Sequence, residues 1–110
     1  MRPSRLRRPE TAWQHGGVDI SVVDNEHLHR YEANVDGKVA GFISYLNRPE
    51  GVRVLVHTEV EPAYEGKGVG AKLVAGALDA ERARGGKIVP ECPFVKTYLK
   101  RHPEYGDLVA

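Results

Sequence analysis

The sequence predicts an α+β domain: a mixed sheet made of an antiparallel meander of four strands, then a helix, a short parallel fifth strand and a C-terminal helix. Three observations lead there. Between residues 18 and 60, strand-length apolar or alternating segments are separated by turn signals. The character changes at Pro62, and from Gly68 to Arg84 apolar residues recur at helical spacing. Gly85-Gly86 then breaks that helix before one more short apolar run.

Taken in order, Val18-Asp19-Ile20-Ser21-Val22 alternates apolar and polar residues, as a half-buried strand does, and Asp24-Asn25-Glu26 is a polar break. A second strand is expected from about His29 to Val35. Asp36-Gly37 follows, the strongest short hairpin signal in the chain. A third strand runs from about Lys38 to Leu46, Asn47-Arg48-Pro49-Glu50-Gly51 forms a turn, and a fourth strand covers Val52 to Val60. In the helix, Val69, Leu73, Ala77 and Ala80 make an apolar stripe that Val74 and Leu78 widen. Asp79 with Arg82 and Glu81 with Arg84 stand at i, i+3 on the expected solvent side. Lys87 to Pro90 is the fifth strand, parallel to the fourth because a helix connects them. A last helix is expected from about Phe94 to Arg101, ended by Pro103.

The chain has 110 residues, the size of one domain with a modest core. We read residues 1–15 as a disordered basic tail and 16–110 as the domain. The tail holds Arg2, Arg5, Arg7 and Arg8 with Pro3 and Pro9 among them, and a solvated terminus is a better account of it than a polyanion-binding arm. The formal net charge of +1 supplies no argument for a nucleic-acid or membrane partner. No apolar run follows the arginines, as a signal peptide requires, and none approaches the ~20 residues of a membrane span. The single cysteine, Cys92, allows no internal disulfide and suits a reducing cytoplasm. The histidines and this cysteine lack metal-ligand spacing, so no metal is expected.

The most informative segment is Glu65-Gly66-Lys67-Gly68-Val69-Gly70-Ala71. Its three glycines lie at and inside a helix start, where free backbone amides carry partial positive charge. Residues without side chains let a phosphate approach those donors, so the loop suits a pyrophosphate. The same glycines would equally serve a tight strand-to-helix turn. The Walker A pattern is absent. The dinucleotide pattern fits as Gly66-x-Gly68-x-x-Ala71, but that motif belongs after the first strand of a parallel βαβ unit, not after four antiparallel strands.

The loop is similar to the acetyl-coenzyme A loop of the GNAT superfamily, [Q/R]-x-x-G-x-[G/A], which Glu65 to Gly70 matches from its second position on; Glu65 stands where glutamine or arginine is usual. The chain resembles in particular the minimal GNAT-like proteins, whose length is that of one small domain, about 100 residues. The shared features are His57-Thr58-Glu59-Val60, the loop through Ala71, and Pro90-x-Cys92-Pro93-Phe94 followed by Tyr98; together they extend over residues 18 to 108. The resemblance implies a GNAT-like mixed sheet whose fourth and fifth strands splay apart around the pantothenate arm of acetyl-coenzyme A. Backbone groups at Thr58 and Val60 would bond that arm. The amides of Gly66, Lys67, Gly68, Val69, Gly70 and Ala71, beside Glu65, would hold the pyrophosphate.

Acetyl transfer to an amine needs the amine deprotonated and the leaving thiolate protonated. Strand parity puts Val52, Val54, Val56, Thr58 and Val60 on one face of the fourth strand, and Arg53, Leu55, His57 and Glu59 on the other. An ordinary imidazole, with a pKa of ~6.5, is largely neutral near pH 7. His57 is therefore a candidate general base; it could equally be a surface histidine, and Glu59 is the rival base. Cys92 follows the fifth strand, where it is a candidate nucleophile if a neighbour such as His57 lowers its pKa; otherwise it lines the thioester site. Tyr98 falls where many GNAT enzymes place a tyrosine that protonates coenzyme A. The resemblance thus implies an acetyl-CoA-dependent N-acetyltransferase acting on an amine (a protein or peptide lysine, or a small amine) with His57 and Cys92 at the reacting end. The alternative is a non-catalytic module that binds coenzyme A or acyl-CoA.

Overall fold

The computed structural model describes residues 19–110. The basic tail assigned to residues 1–15, and the start of the first strand at Val18, lie outside the described residues. Five strands form one sheet in chain order: β1 (Ile20–Asn25), β2 (Arg30–Val35), β3 (Lys38–Arg48), β4 (Val52–Val60) and β5 (Lys87–Pro90). The first four pair antiparallel and β5 lies parallel to β4, which it reaches through helix α1 (Val69–Arg84). Helix α2 (Pro93–Arg101) and a 3-10 segment, Pro103–Leu108, complete the chain. This is the α+β mixed sheet that the sequence predicts. No helix among the described residues is long and apolar enough to cross a membrane.

Asp36 and Gly37 take φ of 52° and 80°, so the β2–β3 hairpin closes through a two-residue turn with both residues in the left-handed region. The polar break expected at Asp24-Asn25 is instead the end of β1. Both polar side chains are satisfied inside the fold. Asp24 accepts hydrogen bonds from Tyr45 and Arg53, and Asn25 donates to Glu32 and accepts from the Leu28 amide. The turn therefore falls later, between Asn25 and Arg30.

The core fills one face of the sheet. Tyr31, Ile43, Leu55 and Ile88 supply the strand side, Leu73, Val74, Ala77 and Leu78 the α1 side, and Val95 the α2 side. Glu81 departs from expectation. It is fully buried on α1, where the hydroxyl of Tyr31 and the guanidinium groups of Arg53 and Arg84 donate to its carboxylate. A carboxylate can sit in a core only with such partners. Burial first, and then the hydrogen bond to Glu81, push the Tyr31 pKa up. The end of the chain also has structure past Pro103. Leu108 is buried, Val109 bridges Ile88, and the Ala110 amide donates to the Ile88 carbonyl at 2.8 Å.

Candidate active site

The site begins with a parting of strands. β4 and β5 are in register from Val52↔Lys87 to Leu55↔Pro90 and no further. The amides of Glu91 and Cys92 then both donate to the Leu55 carbonyl, each at 3.0 Å, which turns the chain out of the sheet. Among the described residues, β4 beyond Leu55 pairs only with β3, which leaves its other edge open.

A bulge sits at the same place. The β3–β4 register passes from Ser44↔His57 to Tyr45↔Leu55, leaving Val56 as the extra residue. The expected continuity of faces along the fourth strand is therefore broken. Leu55 faces the core, and after the bulge Thr58 and Val60, not His57 and Glu59, continue on that side. His57 and Glu59 still project together, on the opposite face, with Nε2 and Oε1 3.9 Å apart and both side chains exposed.

Against the open edge lies a cavity of about 400 Å³, lined by Thr58 and Val60 of β4, by Glu65, Gly66 and Gly68 of the loop, and by Val69, Gly70 and Ala71 of the first turn of α1. Lys67 is the one member of the predicted loop that does not line it. Tyr64 and Phe94, which the sequence reading left out of the cofactor set, do. Gly68 caps α1 with φ of 80°, and no side chain caps that helix. The first helical bond runs from the Lys72 amide to the Gly68 carbonyl, at 3.1 Å. The amides of Val69, Gly70 and Ala71 thus have no helical acceptor. A Cβ added at Gly66 or Gly68 would meet no atom within 4 Å, so both positions open onto free space. At Gly70 a Cβ would fall 2.8 Å from Cζ of Phe94, so that glycine lets the aromatic ring close on the helix. Gly70 and Phe94 are 24 residues apart, so this contact leaves no local pattern in the sequence.

Cys92 is buried at the N-cap of α2, with its sulfur 3.2 Å from the Thr58 hydroxyl. Burial pushes its pKa up. The Thr58 hydroxyl and the amides of Val95, Phe94 and Thr58 outweigh that, and the thiol ends below its ordinary value. His57, proposed from sequence as the group acting on Cys92, is not among these causes; it faces the other side of β4. Tyr98 stacks on His102, with ring centroids 4.0 Å apart, and lines a smaller depression that adjoins the cavity at Ala71 and Phe94. Burial raises the Tyr98 pKa, helped by Glu104 and Asp79. The structure therefore gathers Thr58, Val60 and the glycine loop around the cavity, joins the buried Cys92, which does not line it, to them through Thr58, and sets His57 and Glu59 on the other side of β4.

Known proteins share this architecture. The fold is similar to that of a candidate GCN5-like N-acetyltransferase from Staphylococcus aureus, solved in solution by NMR, with a TM-score of 0.60 and 22% identity over 84% of this chain and 87% of that one. It is also similar to the crystal structure of a ribosomal-protein-alanine N-acetyltransferase from Brucella melitensis biovar Abortus 2308, with a TM-score of 0.54 and 20% identity over 84% and 91% of the two chains. A search of curated proteins finds no match. The sheet with its parted fourth and fifth strands is thus a GNAT-like fold. A family model described as GCN5-related N-acetyl-transferase matches residues 30–108, and the chain belongs to that family.

Proposed function

We propose that the protein is an acetyl-CoA-dependent N-acetyltransferase whose acceptor is an amine. One observation carries the reading. Unbonded amides at the start of α1, next to two positions that open onto free space, lie in one cavity with an unpaired strand edge. The amides suit a diphosphate and the edge suits an amide-bearing arm that bonds like a further strand. Acetyl-coenzyme A bound there supplies an activated acetyl group.

The remaining chemistry falls to residues on both sides of β4. β4 and β5 stop pairing after Leu55, and we take the acetyl group to pass between them there. An amine arriving from the His57 side loses its proton to the imidazole before it attacks. On the other side Cys92, with its lowered pKa and its bond to Thr58, stands at the reacting end. There it either receives the acetyl group, its sulfur bonding the carbonyl carbon as the bond to the coenzyme A sulfur breaks and the thiol proton passes to the departing thiolate, or lines the thioester site.

The test uses acetyl-CoA labelled in its acetyl group, with poly-L-lysine and spermidine as acceptors. Label moving to an amine, and lost in His57→Ala, supports the enzyme. Label trapped on the protein and absent in Cys92→Ala marks a covalent route. Tight binding of acetyl-CoA without transfer to either acceptor would replace this reading with that of a binding module.

A further inference from the structure

His57 is held by an unusual neighbour for a candidate base. Its ring is 61% exposed, and Glu59 at 3.9 Å is beyond hydrogen-bond distance. What meets the imidazole is an aromatic edge. On this face the register sets His57 opposite Ser44 and Glu59 opposite Phe42, so Phe42 is the diagonal neighbour of His57. The two ring centroids lie 6.2 Å apart at 62°, an edge contact. Phe42 is itself clamped. The Arg30 guanidinium lies 4.5 Å over its ring centroid, and Arg30 Nε donates to Glu32 at 2.8 Å. Asn25 donates to the same Glu32 oxygen at 3.0 Å, and Glu32 is buried. A connected set of contacts thus crosses the sheet from the edge strand β1 to the histidine on β4.

We propose that Phe42, clamped by Arg30, is a positioning residue that restricts His57 to one side-chain rotamer before an acceptor arrives. The inference rests on His57 being the base. An exposed strand histidine otherwise distributes over the staggered wells of χ1, and only one of them presents the reactive nitrogen correctly. The edge contact selects a well, and the ion pair behind Phe42 keeps that ring from turning away. Glu59, the other candidate base, has Phe42 as its direct cross-strand partner, but its carboxylate is exposed and among the described residues has only the His57 ring near it, at 3.9 Å.

The experiment uses the full chain, acetyl-CoA and poly-L-lysine, with kcat and the KM for acetyl-CoA measured separately. Phe42→Leu and Arg30→Gln are each expected to lower kcat, by about 10-fold for Phe42→Leu, and to leave that KM unchanged. Phe42→Tyr, which keeps the ring, restores kcat. In a His57→Ala background Phe42→Leu does not lower the residual turnover further, read at high enzyme concentration, as required of a residue that acts through another. The wild-type kcat in Phe42→Leu, or an equal loss with and without His57, overturns the proposal. A His57→Ala variant with full turnover overturns the assignment of the base instead. Independently of turnover, the His57 ring resonances of the free protein report the rotamer by NMR. They should show a ring-current shift that Phe42→Leu removes and Arg30→Gln weakens, and resonances that stay unchanged in both variants sink the idea.

Discussion

The hydroxyl of Thr58 lies 3.2 Å from the sulfur of Cys92, bridging the gap between β4 and the start of α2. Thr58 belongs to the open part of β4, and Cys92 follows the last paired residue of β5 by two positions. The contact therefore ties the two diverging chain segments at the point where the strands part. It is also the largest influence that lowers the Cys92 pKa.

The first prediction follows from that contact. Replacing Thr58 with valine keeps the branched shape and removes the hydroxyl. The Cys92 thiol should then titrate at a higher pH, because burial still opposes the thiolate and only the amides of Val95, Phe94 and Thr58 remain to favour it. Thiolate ultraviolet absorbance, followed against pH in wild type and Thr58→Val, measures this directly on the single cysteine of the chain. A midpoint that stays put or moves down refutes the role given to Thr58.

A second prediction separates two uses of glycine in one loop. Gly70→Ala drives a methyl group against Phe94, and overpacking of this kind costs about 1–3 kcal/mol. Gly68→Ala meets no atom but forces a side chain into φ of 80°, which costs about 1–2 kcal/mol. Trimming the ring with Phe94→Leu should relieve the first variant and leave the second as it was. Urea unfolding of the two alanine variants in both backgrounds reads the difference. If Gly70→Ala costs the same with and without the ring, the close approach is not why residue 70 is glycine.

Much of this fold is legible in the sequence because the information is local. Asp36-Gly37 specifies its turn through backbone dihedrals alone, and the fifth strand, Lys87–Pro90, is bracketed by a diglycine and a proline motif. The glycine loop announces the cavity for the same reason. What sequence reasoning missed depends on distant partners. The bulge at Val56 shows only in the pairing of β4 with β3, so a strict period of two puts Leu55 and His57 together when they face apart. Glu81 does follow the helical stripe, four residues after Ala77 and three after Leu78. Its charge hides it, because its local partner Arg84 suggests a surface pair, while two of the three groups that make its burial tolerable stand 28 and 50 residues away at Arg53 and Tyr31. The segment after Pro103 has no periodicity to read; Leu108 and Val109 become structural only by meeting β5.

Glu81 yields the third prediction. Arg53 is 6% exposed and divides its hydrogen bonds among Asp24, Asn47, Tyr31 and Glu81. Glu81→Ala leaves that cation short of one anion inside the core, and breaking a buried pair on one side costs about 3–5 kcal/mol. The exposed pair of Arg82 with Asp107 offers the contrast: Arg82→Ala should cost far less, because solvent screens an exposed pair. Urea unfolding of the two variants ranks them. Equal losses would mean that the buried carboxylate holds no more than a surface one.

The last prediction concerns acid. The Arg82 guanidinium donates to both oxygens of Asp107, from Nη1 at 2.8 Å and Nη2 at 2.9 Å, and Nη2 also donates to the Glu104 carbonyl, while Lys87 donates to the Asp107 carbonyl. These contacts hold the C-terminal 3-10 segment to α1 and β5. The hydrogen bond to Arg82 lowers the Asp107 pKa below the ordinary value of 3.8. A carboxyl depressed in the folded state adds stability above its unfolded pKa and loses it as pH falls through the folded one. Wild type should therefore exceed Asp107→Asn in thermal stability at neutral pH. The gap should close as pH falls below the ordinary carboxylate range and through the lowered Asp107 pKa, and added salt should narrow it because the pair is exposed. The Ala110 amide, bonded to Ile88, should lose protection over the same range, its exchange read relative to that of an unstructured amide at each pH, as the segment loosens. A difference between wild type and Asp107→Asn that persists or grows in acid would show that Asp107 anchors the segment by some means other than its charge.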